Sequence, residues 1–126
     1  MAEKIKILIA EDEKAIARAM DLKLQHEGFE TKVASSGKEA LDLLQAEKFD
    51  LLLLDLIMPE IDGFGVLQTL KADMNTKDIP VLLLTNLSQE SDKEKGTNMG
   101  AADYFVKSKH TPTDVIQKIQ QIITNK

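Results

Sequence analysis

Five short apolar runs punctuate the chain, at Ile5 to Ile9, Thr31 to Ala34, Leu51 to Leu54, Val81 to Leu84 and Tyr104 to Val106, the second being the least apolar. Most lack polar alternation, the pattern of strands covered on both faces in a parallel sheet. Between them the spacing turns helical. Ile16, Met20 and Leu24 recur every fourth residue, and Gly28 supplies a stop. Ser36 followed by Glu39 reads as a capping box ahead of Ala40, Leu41 and Leu44. A third helix is predicted over Gly63 to Ala72, with Phe64, Val66, Leu67 and Leu70 as its buried side. Thr111 and Pro112 open a last helix whose stripe is Val115, Ile116, Ile119, Ile122 and Ile123. The fourth, within Gln89 to Met99, has almost no apolar face and contains Gly96, so it is expected to be the least stable.

Strict alternation of strand and helix predicts an open, doubly wound α/β sheet with right-handed crossovers. The common order for five such strands is 2-1-3-4-5, and ligands then bind beyond the carboxyl ends of the strands, at the switch point between strands one and three. Strand one runs into Glu11 and Asp12, strand three into Asp55, strand four into Thr85 and strand five into Lys107. Four of the five strands therefore deliver a polar side chain to one rim.

Composition narrows the function classes. At 126 residues the chain is expected to be one domain, spanning 1–126, and 43% hydrophobic with 29% charged residues exclude disorder. A net charge of -5 argues against a basic nucleic-acid-binding face, so any DNA role is expected to lie in another chain. The sequence has no cysteine, hence no thiolate nucleophile or disulfide frame, and a cytoplasmic setting is expected. The apolar stretch after Met1 is too short, and too soon followed by acids, for a signal peptide or membrane span. His26 and His110 do not pair as ligands and are expected to be solvated.

Three carboxylates at one rim repel by about 4 kcal/mol per pair at about 4 Å for an effective dielectric near ~20. They call for a cation, and an all-oxygen set selects Mg²⁺, or Mn²⁺ in its place, over zinc. An aspartate beside Mg²⁺, with a lysine and a hydroxyl in reach, has the makings of a phosphoryl acceptor. Taken singly, Asp55 could equally be a turn residue, Lys107 an ion-pair partner and Thr85 a cap; together at one rim they favour chemistry.

With Glu11-Asp12, Asp55 followed by Met58-Pro59 and Gly63, then Thr85, Tyr104 and Lys107, the chain resembles the CheY-like receiver domains of two-component response regulators over nearly its whole length. The resemblance implies a flavodoxin-like (βα)5 sandwich, Asp55 as the phosphorylated residue, Mg²⁺ held by Glu11, Asp12, Asp55 and the Ile57 carbonyl, and Lys107 on the phosphoryl group. It further implies Thr85 and Tyr104 as a switch, a sensor histidine kinase or phosphotransfer protein as donor, and a downstream protein partner on the helix 4, strand 5 and helix 5 face. A switch of this kind is not a dedicated enzyme, although phosphotransfer and dephosphorylation can be self-catalysed. The chain departs from the family at Ser108, where proline is usual, so a trans bond or an adapted loop is expected. Glu11 stands for the commoner aspartate, and Ile57 and Asn86 flank the acceptor and bear on phosphoryl lifetime. Two other readings are an interaction module that is never phosphorylated, and a phosphohydrolase. The latter would need a second aspartate two residues after Asp55, where Ile57 stands. The chain runs to just after its last helix, as expected equally of a receiver acting alone and of the receiver domain of a longer regulator.

Overall fold

The computed structural model describes residues 4–86 and 90–124. Five strands, β1 (Lys6–Ala10), β2 (Glu30–Ala34), β3 (Leu51–Leu54), β4 (Val81–Thr85) and β5 (Asp103–Val106), form one parallel sheet in the order β2-β1-β3-β4-β5. Helices α1 (Lys14–His26), α2 (Gly37–Ala46), α3 (Gly63–Lys71), α4 (Glu90–Asn98) and α5 (Pro112–Thr124) alternate with them. This is the flavodoxin-like arrangement expected from the sequence. Strand ends differ by one residue in places: β1 starts and ends one residue later, β2 and β5 start one earlier, and β4 takes in Thr85. The expected start of the fourth helix at Gln89 lies outside the described residues.

The apolar runs divide by parity, since successive strand residues face opposite sides. Ile7, Ile9, Leu51, Leu53, Leu82, Leu84 and Phe105 pack with Met20 and Leu24 of α1 and Val115, Ile116 and Ile119 of α5. Leu8, Ala10, Leu52, Leu54, Val81, Leu83 and Tyr104 pack with Ala40 and Leu44 of α2 and Val66, Leu67 and Leu70 of α3. All of β3 and β4 is buried, which is why their sequences carry no polar alternation.

Helix ends follow local chemistry. Gly28, at φ 95°, ends α1 with its N–H on Gln25 O and the Phe29 N–H on Leu24 O, the paired bonds of a Schellman stop. Ser36 caps α2 by accepting the Glu39 N–H at 3.1 Å, but the Glu39 carboxylate takes the N–H of Ser35 rather than that of Ser36. Thr111 and Asp114 form the full reciprocal box at α5.

In α4, Gly96 is the buried residue, and a Cβ there would stand 2.5 Å from Leu83 Cδ1. The glycine that costs helix propensity thus allows a close approach to β4. The helix meets the sheet at that narrow contact, and Lys95 ties it to α3, its Nζ lying 4.3 Å from the centre of the Phe64 ring.

Candidate functional site

Hydrogen bonding continues past the strand ends and sets the rim level. Glu11 N–H donates to Ala34 O at 2.9 Å, Asp55 N–H to Ala10 O at 3.0 Å and Lys107 N–H to Thr85 O at 2.7 Å. Each rim residue is thereby fixed by the neighbouring strand, and Asp55, 5% exposed, is held at the switch point between β1 and β3.

Lys107 reaches across β4 to this point. Its Nζ donates to Asp55 Oδ2 at 2.9 Å and pairs with Glu11 Oε1 at 2.5 Å. One carboxylate oxygen from each of Glu11, Asp12 and Asp55 lies within 4.8 Å of the others. An all-oxygen trio of this spacing, two of its members buried, fits a hard divalent cation such as Mg²⁺. Every described peptide bond is trans, that of Lys107 to Ser108 included, and the lysine still aims at Asp55.

One ammonium among three carboxylates leaves the site negative. Burial above all pushes the Glu11 carboxyl up to about 7, with the Asp55 charge adding to it and the Lys107 and Glu13 hydrogen bonds opposing. Burial pulls Lys107 down, but hydrogen bonds and charge from Glu11 and Asp55 together outweigh it and leave the ammonium raised.

Thr85 is fully buried at the end of β4. Tyr104 lies opposite Leu83 in the β4–β5 register, beside Gly96, and is buried at 6% exposure. Its ring therefore already sits inward. Ile57 is 57% exposed, its N–H 3.3 Å from Asp55 Oδ1, and Asn86 is exposed. His110, expected in solvent, is instead half-buried, because its ring stands edge-on to Phe105 at 5.0 Å and its Nδ1 lies 3.2 Å from Val106 O.

Two contributors escape a reading by residue type. Glu13 brings a third carboxylate to Lys107, Oε1 to Nζ 3.6 Å. The only cue to it in the sequence is the second acid after Glu11. Gly63, legible as part of a motif, has a steric duty: a Cβ there would fall 2.4 Å from Asp55 O and 2.6 Å from Leu56 Cα. Because those neighbours are backbone, Gly63→Ala must push α3 away from the acceptor strand. A loss of about 1–3 kcal/mol in urea unfolding is expected, with weaker Mg²⁺ binding; unchanged stability would show that α3 shifts freely.

Tyr104 is the only tyrosine in a chain without tryptophan, so its titration can be followed alone in the ultraviolet. Burial first, then the charges of Asp92 and Asp55, push its phenol up to about 12. The folded state then keeps a proton that the unfolded chain loses near pH 10, so stability falls as pH rises above 10. A phenolate transition near 10 in the folded protein would place the ring outside.

Residues 7–120 match the family described as response regulator receiver domain. Among curated relatives, the probable transcriptional regulator ycf27 of Porphyridium aerugineum is 37% identical over 121 residues, covering 96% of this chain and 49% of the relative. The DNA-binding dual master transcriptional regulator RpaA of Synechocystis is 38% identical over 117 residues, covering 93% of this chain and 47% of the relative. The chain thus spans about half the length of these relatives. Among solved structures, the receiver domain of the Francisella response regulator 1452 superposes with a TM-score of 0.90 at 30% identity, covering 97% of this chain and 98% of that one. The chemotaxis response regulator CheY4 of Vibrio cholerae gives 0.88 at 28% identity, over 95% and 99%. A rim carrying Asp55, its lysine and its acidic pair on this sheet agrees with that match, and the chain belongs to the response regulator receiver domain family.

Proposed function

We infer that this chain is a phosphorylation-controlled signalling switch whose acceptor is Asp55. The observation that carries the reading is the Lys107–Asp55 contact at 2.9 Å beside the Glu11, Asp12 and Asp55 oxygens. An Asp55 carboxylate oxygen attacks phosphorus in line; the new P–O bond forms as the bond to the donor breaks, and its electron pair leaves with the donor. Glu11, Asp12, Asp55 and the Ile57 carbonyl would hold Mg²⁺, which when bound neutralises charge on the phosphoryl oxygens. Lys107 gives up part of its hold on Asp55 to meet an equatorial oxygen, and the Thr85 hydroxyl supplies a further donor. Thr85 and Tyr104 form the switch. Because α4 buries little beyond Gly96, it can shift at low cost and alter the face it makes with β5 and α5.

The donor is a sensor histidine kinase or phosphotransfer protein, and the output is a protein partner on that face. The ycf27 and RpaA names speak of transcription, and RpaA's of DNA binding. In this chain, with its net charge of -5, contact with DNA would fall to a partner or partner domain. The whole chain, 1–126, acts as one receiver domain in the cytoplasm. No helix among the described residues is long and apolar enough to cross a membrane. Phosphotransfer here is self-catalysed, with Ile57 and Asn86 beside the acceptor setting how fast water removes the group. Acetyl phosphate with Mg²⁺ tests the reading: one phosphoryl group per chain is expected, and none when Mg²⁺ is chelated.

A further inference from the structure

Glu13 stands at the N-cap of α1, a position where Ser, Thr, Asp or Asn ordinarily accepts a helix N–H, and its longer side chain makes no capping bond. Its backbone N–H donates to Glu11 Oε2 at 3.1 Å, and its own Oε1 lies 3.6 Å from Lys107 Nζ. The Glu13 side chain is 53% exposed, against 4% for Glu11 and 6% for Asp55. It is therefore the outermost of three carboxylates around one ammonium, and it lies outside the trio suited to the cation. We propose that Glu13 is a specificity-determining residue whose charge, held over Lys107 at the solvent edge, discriminates against small dianionic phosphodonors in favour of a protein donor.

Two effects act in the same direction. A small donor brings its charge past Glu13, and it must draw Lys107 away from that carboxylate as well as from Glu11 and Asp55. A protein donor meets the same charge, but contacts across a whole interface offset it. One unit charge facing a dianion at about 8 Å in water changes the rate about fivefold, and salt screens the effect.

The inference rests on Asp55 being the acceptor, and the experiment separates the two. Labelling by acetyl phosphate at saturating Mg²⁺ and low ionic strength is expected to be about fivefold faster in Glu13→Gln than in wild type, the gap closing to less than about twofold near 1 M salt. Glu27→Gln, at the far end of α1 and about 20 Å away along the helix, removes the same formal charge and is expected to keep the wild-type rate. In the metal-free protein the Lys107 side-chain resonance is expected to move in Glu13→Gln, return toward its place in Glu13→Asp, and stay put in Glu27→Gln. Equal labelling of wild type and Glu13→Gln at low salt overturns the proposal, as does an equal acceleration by Glu27→Gln. A wild type that takes no label overturns the acceptor reading itself, and this proposal with it.

Discussion

Asp55→Asn is expected to reduce Mg²⁺-dependent labelling to background while the fold survives. Among the rim carboxylates, Asp55 is the one at the end of the central strand β3 with Lys107 bonded to it. Glu11 is equally buried, but it is tied to Lys107 and to the Glu13 N–H, and Asp12 is exposed. An amide at position 55 keeps the shape and cannot act as the nucleophile. The product on the wild type is a mixed anhydride, so hydroxylamine should remove the label completely. The variant should also be more stable than wild type without metal, because one of the clustered negative charges is gone while the side-chain volume is kept. Equal labelling of the two proteins, or label that resists hydroxylamine, would sink the assignment.

The site was legible because each rim residue ends a run whose composition is nearly pure. Leu51 to Leu54 can only be a strand covered on both faces, so Asp55 had to emerge at its edge, and the sheet order then placed Glu11, Thr85 and Lys107 beside it. Features that depend on a close approach to the backbone by a distant part of the chain were not legible. Gly96 reads as a weakness in α4 until Leu83 is seen against it, and Gly37 gives no hint that a Cβ there would strike the Ile61 carbonyl. Glu60 adopts φ 70° between Pro59 O and the Ile61 N–H, 2.9 Å apart, a strained three-residue turn that glutamate does not announce. Glu13 was hidden for a different reason. An acid at the start of a helix is accounted for by the helix dipole alone, and only the position of Lys107 shows that this one also faces the rim.

Lys107→Met is expected to cost the metal-free protein about 3–5 kcal/mol at pH 8, since it strips the ammonium from a buried charge cluster and leaves Glu11 and Asp55 facing each other. The loss should depend on pH in a definite direction. Burial pushes the Glu11 carboxyl up to about 7 in the folded protein from an ordinary value of 4.5, so the folded state holds the extra proton between those values. The Glu11 contribution to metal-free stability is then fully present below about 4.5 and is lost as pH rises through 7. Without the ammonium the Glu11 carboxyl rises further, so the deficit of the variant is smaller at pH 5 than at pH 8. Mg²⁺ should offset the loss by supplying the missing positive charge. At about 100 times its dissociation constant a cation adds about 2.7 kcal/mol, and the variant, in which no ammonium competes for Glu11 and Asp55, should gain at least as much as wild type. Urea unfolding at both pH values, with Mg²⁺ and with chelator, reads all four quantities. If the variant and wild type are equally stable at pH 8 without metal, or if Mg²⁺ stabilises neither, then the rim is not the coupled charge cluster on which phosphoryl acceptance depends.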